Sequence, residues 1–180
     1  MEIKEERIKG LFSIQPKVFG DDRGYFLESF SEKKYAEFLG DIKFVQDNQS
    51  LSTKGVLRGL HFQNPPFDQG KLVQVIKGSA LDIAVDIRKN SPTYGEHASI
   101  LLTEKDKNQF WIPAGFAHGF CALEDNTIFS YKCTNYYSPE NESSLLWNDK
   151  TLNIDWTIEN PTISEKDKKG IEFLNFVSPF

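Results

Sequence analysis

Between Lys71 and Arg88 the chain places Val73, Val75, Leu81, Ile83, Val85 and Ile87 on one parity of position, broken only by Lys77-Gly78-Ser79-Ala80. A period of two is the mark of strands with a buried face, and the glycine in the break predicts two strands joined by a turn. Shorter strand-like runs recur at 18–19, 25–30, 44–46, 55–61, 100–102, 109–112, 118–123 and 127–134, punctuated by Gly, Pro, Asn and Asp. Many short strands at this spacing predict an all-β fold, a sandwich or barrel. Small helical additions are expected at 31–39, with Ser31 as N-cap, Tyr35, Phe38 and Leu39 at helical spacing and Gly40 as the stop, and at 164–170. No repeat, low-complexity segment or Ser/Gly linker divides the 180 residues, so one domain spanning 1–180 is expected.

Composition removes several classes of function. The net charge is -5 and the 21 Lys and Arg are scattered, so no basic stripe is available for nucleic acid. Anionic partners must be met by a few placed cations. No run approaches the roughly 20 apolar residues of a membrane-spanning helix. The first nine residues alternate charge with isoleucine, unlike a secretory signal or a membrane anchor. Cys121 and Cys133 lie among apolar neighbours away from zinc-ligand spacing and read as buried free thiols. The cytoplasm is the expected compartment.

Chemistry is concentrated in two segments. Arg58-Gly59-Leu60-His61-Phe62-Gln63 is followed ten residues after His61 by Lys71, and Ile112-Pro113-Ala114-Gly115-Phe116-Ala117-His118-Gly119-Phe120 presents His118 after a tight turn. Either histidine alone fits a hydrogen-bonded core residue as well as a functional one. His97, in Gly95-Glu96-His97-Ala98, reads as a surface residue. A metal site is disfavoured. Metal-binding barrels usually supply a second His two residues on, where this chain has Gln63, and no carboxylate appears before Asp68. Two lone His leave a transition metal short of ligands. Acid–base chemistry suits the same residues: an imidazole accepts a proton near neutral pH, a buried carboxylate behind it would fix its tautomer, Tyr131 stays protonated, and Lys71 could neutralise an enolate oxygen. No cofactor is called for.

Several segments, in order, resemble one family. They are Val18-Phe19-Gly20-Asp21-Asp22-Arg23-Gly24-Tyr25-Phe26-Leu27-Glu28-Ser29-Phe30, Val45-Gln46-Asp47-Asn48-Gln49-Ser50 and Val56-Leu57-Arg58-Gly59-Leu60-His61-Phe62-Gln63. Further on come Val85-Asp86-Ile87-Arg88 with Ser91-Pro92-Thr93, Trp111-Ile112-Pro113 through His118-Gly119-Phe120, and Tyr136-Tyr137-Ser138-Pro139 with Trp147-Asn148-Asp149. From about residue 10 to about residue 170 the chain resembles the dTDP-4-dehydrorhamnose 3,5-epimerases, cofactor-independent enzymes of the cupin fold.

The resemblance implies a cupin-type jelly-roll barrel and an isomerase acting on dTDP-4-dehydro-6-deoxy-D-glucose in dTDP-L-rhamnose synthesis. It implies His61 as general base, Asp167 as the carboxylate supporting it, Tyr131 as proton donor on the opposite face of the sugar, and Lys71 beside the 4-keto oxygen. Arg23 and Arg58 match diphosphate-contacting arginines. Gln46, Asp47 and Asn48 match a nucleotide-contacting segment, Glu28 a residue near the thymine, and Phe26 a base-stacking aromatic. His118, Glu142 and Lys166 match further ligand contacts. A homodimer is implied, with the Arg23 and Glu28 region reaching the partner's site. Arg23 also has a simpler reading, a salt bridge to Asp21, Asp22 or Glu28. A relative that inverts only carbon 3 or carbon 5, or that works on a related 4-keto-6-deoxy sugar nucleotide, is the nearest alternative function; a metal-dependent cupin and a non-catalytic sugar-binding cupin are more distant. Asn64-Pro65-Pro66-Phe67-Asp68 and the apolar tail 171–180 carry no motif of the family.

Overall fold

The computed structural model describes residues 1–180. In chain order the strands are β1 (Glu2–Glu5), β2 (Phe12–Gln15), β3 (Val18–Asp21), β4 (Gly24–Leu27), β5 (Gln46–Ser52), β6 (Val56–Gln63) and β7 (Lys71–Lys77). They continue with β8 (Ser79–Asp86), β9 (His97–Thr103), β10 (Gln109–Ile112), β11 (Phe116–Ala122), β12 (Thr127–Cys133), β13 (Glu142–Ser144) and β14 (Thr162–Ile163). One α-helix, α1 (Glu32–Leu39), and three short 3₁₀ turns complete the chain.

Two sheets face each other. The first runs β1-β2-β10-β7-β12-β5 and the second β13-β6-β11-β8-β9, with β14 added in parallel to β6 and the β3-β4 hairpin standing apart. The all-β sandwich expected from the strand spacing is therefore the fold.

Three apolar layers hold it. Val73, Val75, Ala80, Ala84, Phe110, Phe120 and Phe129 fill the space between the sheets, where Phe120 and Phe129 stack with ring centroids 3.9 Å apart. The outer face of the second sheet, with Leu57, Ile83, Val85 and Ile87, is covered by the C-terminal chain through Leu152, Trp156, Phe173, Phe176 and Phe180. The tail without a family motif is thus a lid on a sheet. Helix α1 covers the outer face of the first sheet by setting Tyr35 against Ile14, Leu72 and Trp111. Fully burying one such large side chain is worth about 1.5–3 kcal/mol.

The apolar alternation at 71–88 has a different meaning from the one its parity suggests. Gly78, at φ +78°, turns the chain from the first sheet into the second. The odd positions of β7 then point between the sheets, whereas those of β8 point to the outer layer. A side chain at Gly78 would meet Thr127 Oγ1 at 2.6 Å, so this corner needs glycine.

Other expectations shift at their edges. The strand expected at 44–46 begins only at Gln46, and the Phe44 ring packs on Phe30 and Trp111. Ser31 does occupy the N-cap position of α1, but its side chain makes no capping bond. The second helix, expected at 164–170, shrinks to a 3₁₀ turn at Asp167–Lys169. There Asp167 is drawn to His61, and Ile171 donates to the Ser144 carbonyl, which returns the chain to the sheet. His97, expected at the surface, is half-buried in β9.

Asp86 closes the end of β8. Its two oxygens accept from the Arg88 backbone N–H and guanidinium and from the Ser91 and Thr93 hydroxyls. Burial alone would raise its pKa, but these bonds outweigh it and hold the carboxyl down at about 2. A group depressed on folding stabilises fully above its unfolded value of 3.8 and loses that contribution as pH falls through about 2. The difference is on the order of 2 kcal/mol. Chemical denaturation between about pH 4 and pH 2 should show the wild type losing that much more stability than Asp86→Asn. Parallel pH profiles would show that Asp86 does not carry the effect.

Candidate active site

A cavity of about 570 Å³, within the range of small-molecule sites, opens between the two sheets. The first sheet contributes Gln46, Asn48, Ser50, Lys71 and Tyr131; the second contributes Arg58, His61, Gln63, His118 and Glu142. The chain after β14 adds Ser164, Lys166 and Asp167.

Local backbone geometry explains why Arg58 and His61 share it. Three positions apart on a regular strand, they would face opposite ways. Across β6 and β11, however, His118 pairs with His61 while Phe120 pairs with Arg58, so β6 places two residues, Gly59 and Leu60, opposite the single Gly119 of β11. Such a bulge turns both side chains to the same side. Gly59 permits it: its φ is +132°, and a Cβ there would lie 2.5 Å from Gly119 Cα. The pair of glycines in the two sequence segments is a backbone crossing.

His61 and His118 face each other in register, and each is backed by a carboxylate. His61 Nε2 is 2.5 Å from Asp167 Oδ1, and His118 Nε2 is 2.8 Å from Asp82 Oδ2. An ionised carboxylate can only accept, so a neutral ring paired to one donates from Nε2–H and keeps its lone pair on Nδ1. Exposure separates the two. The His61 side chain is 26% exposed and that of His118 only 8%. Burial, with Lys71 and His61 nearby, holds the His118 pKa below its usual value despite Asp82. At Asp167 burial pushes up, but His61, the Ser164 hydroxyl and the Gly59 backbone outweigh it and leave the carboxyl below the ordinary range. It therefore stays ionised behind His61.

Tyr131 and Lys71 stand on neighbouring strands of the opposite sheet, with the Lys71 ammonium 6.0 Å from the Tyr131 ring centroid. Burial, with Cys133 and Glu142, raises the Tyr131 pKa, so its hydroxyl holds its proton at neutral pH. Burial also lowers the Lys71 pKa, against the opposing charges of Cys133, Glu142 and Asp82.

Near the mouth, Tyr137 donates to Glu142 Oε2 at 2.6 Å and Lys166 pairs with the same oxygen. Burial would raise the Glu142 pKa, but Lys166, Tyr137 and His61 bring it below the usual range. Arg58 reaches back to Ser52 Oγ at 3.3 Å. Gln46 and Asn48 are joined by a 3.0 Å hydrogen bond. No three His, Cys, Asp or Glu side chains converge as metal ligands.

Four expected site residues lie outside this cavity. Asp47 is exposed and pairs with Lys132 at 3.0 Å. Arg23 pairs with Asp21, one of the salt bridges foreseen for it, and Glu28 pairs with Lys34 at 2.7 Å. Phe26 is 68% exposed on the β3-β4 hairpin. Conversely, sequence reasoning assigned no role to Asp82, Ser50, Tyr137 or Gln63. Asp82 had a signal: it shares its parity with Ala80 and Ala84, small apolar residues that mark a second buried face of β8.

Comparison with known proteins shows the family. Residues 5–175 match the family described as dTDP-4-dehydrorhamnose 3,5-epimerase. The Shigella flexneri enzyme of that name is 50% identical over 176 residues, covering 97% of both chains. The Elizabethkingia anophelis dTDP-4-dehydrorhamnose 3,5-epimerase superposes with a TM-score of 0.92 at 44% identity, over 98% of this chain and 99% of the other. The Legionella pneumophila dTDP-6-deoxy-D-glucose-3,5-epimerase, solved with dTDP-4-keto-L-rhamnose, gives 0.91 at 50% identity, over 94% and 91%. The sandwich with its paired histidines and facing tyrosine is thus the cupin-type fold of an isomerase, and the chain belongs to the dTDP-4-dehydrorhamnose 3,5-epimerase family.

Proposed function

We propose that this chain converts dTDP-4-dehydro-6-deoxy-D-glucose to dTDP-4-dehydro-L-rhamnose by removing and returning protons at carbons 3 and 5, with His61 as base and Tyr131 as acid. One observation carries the reading: His61 comes from β6 of one sheet and Tyr131 from β12 of the other, and both line the same cavity. Inversion needs acid and base on opposite faces of the sugar, because a base that returned its own proton to the same face would restore the starting configuration.

The 4-keto group acidifies both neighbouring carbons. His61 Nδ1 takes a proton from one of them, the C–H electron pair moves into an enolate, and the charge on its oxygen is met by the Lys71 ammonium. The Tyr131 hydroxyl then gives a proton to the other face of that carbon. His61 and Tyr131 regain their starting protonation through solvent, and the cycle repeats at the second carbon. Asp167 holds His61 in the required tautomer.

Arg58 is assigned to the diphosphate, Gln46 and Asn48 to the nucleotide, and His118, Glu142 and Lys166 to further contacts. For Arg23, Phe26, Glu28 and Asp47 we propose contacts to nucleotide that are completed in a homodimer. In support, Phe19, Tyr25 and Phe26 of the hairpin are 53%, 59% and 68% exposed, an apolar surface that a partner subunit would cover. Residues 1–180 act as one domain in this reading. No helix is long and apolar enough to cross a membrane, and the two cysteines are free and buried, as a reducing compartment such as the cytoplasm maintains.

The product tests the reading. Purified protein given dTDP-4-dehydro-6-deoxy-D-glucose should form the 4-dehydro-L-rhamnose nucleotide. Accumulation of a singly inverted sugar would identify a monoepimerase instead.

A further inference from the structure

Asp82 lies at zero exposure on β8, within the apolar layer formed by Ala84, Phe120 and Phe129. Its Oδ2 is held by the His118 ring, and its Oδ1 has no hydrogen-bond partner. Four residues further along the same strand, Asp86 shows what a structural carboxylate looks like in this chain, with both oxygens saturated by Arg88, Ser91 and Thr93. A carboxylate buried for stability alone would be better replaced by an apolar side chain, since one hydrogen bond does not offset its desolvation. What Asp82 does is act on His118.

We propose that Asp82 is a positioning residue that locks His118 as the Nε2–H tautomer, leaving Nδ1 as an acceptor for a hydroxyl group of the bound sugar. With Nε2–H committed to Asp82, the His118 ring has only the Nδ1 lone pair to offer the cavity it lines. That selects the ligand chemistry. Phosphate oxygens only accept and gain nothing from a second acceptor, whereas a sugar hydroxyl can donate. The low pKa that burial gives His118 keeps the ring neutral, as the role requires. His61 and His118 thereby divide two tasks between rings of the same tautomer: the exposed one takes a proton from carbon, and the buried one orients the sugar for it.

The inference rests on the proposed function, and its test separates the two. Nitrogen-15 NMR of the His118 ring in the unliganded wild type should show a neutral imidazole protonated at Nε2 near neutral pH. Protonation at Nδ1, or an imidazolium, overturns the proposal whether or not the enzyme turns over. Asp82→Asn, which keeps the shape, should lower kcat/KM for the sugar nucleotide by roughly 10- to 100-fold, while dTDP alone binds within about twofold of wild type. An unchanged kcat/KM, or an equal loss of dTDP affinity, contradicts the assignment. If the variant does not fold, the wild-type tautomer decides alone. A wild type that fails to epimerise would instead refute the function proposed for the site.

Discussion

His61→Ala is expected to lose turnover on the order of 10⁴-fold, the upper range for general acid–base catalysis, while still binding dTDP. In the proposed mechanism a single imidazole deprotonates both carbons, so no second base would remain once it is gone, and the loss should be large. His118 cannot substitute: its side chain is 8% exposed, its pKa lies below the usual value, and its Nε2 is committed to Asp82. Binding survives because Arg58, Gln46 and Asn48 stand on other parts of the cavity wall. Truncation also leaves Asp167, only 5% exposed, without the ring that offsets its burial, so some stability should be lost as well. His61→Gln separates these effects, since its longer side chain brings an amide N–H to about the Nε2 position, where it can still donate to Asp167, but offers no basic nitrogen. Both variants should be similarly inactive when assayed below their melting temperatures. Near wild-type rates in either one, measured by product formation, would remove His61 from the role of base.

Tyr131→Phe keeps the ring and its packing and deletes only the hydroxyl. Loss of the acid should cost product formation about 10²- to 10⁴-fold. The more telling result is a change of order. With His61 and Asp167 intact, proton abstraction should continue, so substrate in deuterated water should exchange its hydrogen beside the ketone faster than inverted product accumulates. Uncoupling of that kind is not expected from a variant that has merely loosened the sandwich. Unimpaired inversion would make water or another residue the acid.

The contrast between the two dyads shows how far sequence carries. Asp167 was found through family resemblance, because 106 residues separate it from His61 and no local pattern links them. Asp82 was passed over because, between Leu81 and Ile83, it occupies what alternation reads as a solvent-facing position. In the folded chain both faces of β8 are covered, one by the facing sheet and one by the C-terminal tail. Strand β5 overlaps the strand expected at 44–46 only at its first residue, Gln46, for a related reason. Its inward side chains, Gln46, Asn48 and Ser50, face the cavity rather than a core, so the apolar period that announces a strand is absent where the site is built. The Gly59 bulge lies beyond pattern reading too, since it depends on the register with β11. By contrast, the edges of the sandwich and the site histidines themselves were legible, because turns need Gly and Pro, and few residue types abstract protons at neutral pH.

The separation of Arg23, Phe26 and Glu28 from the cavity reflects a limit of another kind. The hairpin carrying Arg23 and Phe26 is short, polar at its tip and aromatic along its strands, and in one chain those aromatic side chains are exposed. In the homodimer proposed above a second subunit would complete their contacts, and a single sequence carries no local pattern for that.

Proton NMR of the reaction run to completion in deuterated water is the most direct measure of the central claim, removal and return of protons at both carbons beside the ketone. The wild type should yield dTDP-4-dehydro-L-rhamnose carrying solvent deuterium at carbon 3 and at carbon 5, each with inverted configuration. Inverted product that retains its original hydrogen at both carbons would contradict the account, because the protons would then not have passed through His61 and Tyr131 in exchange with solvent.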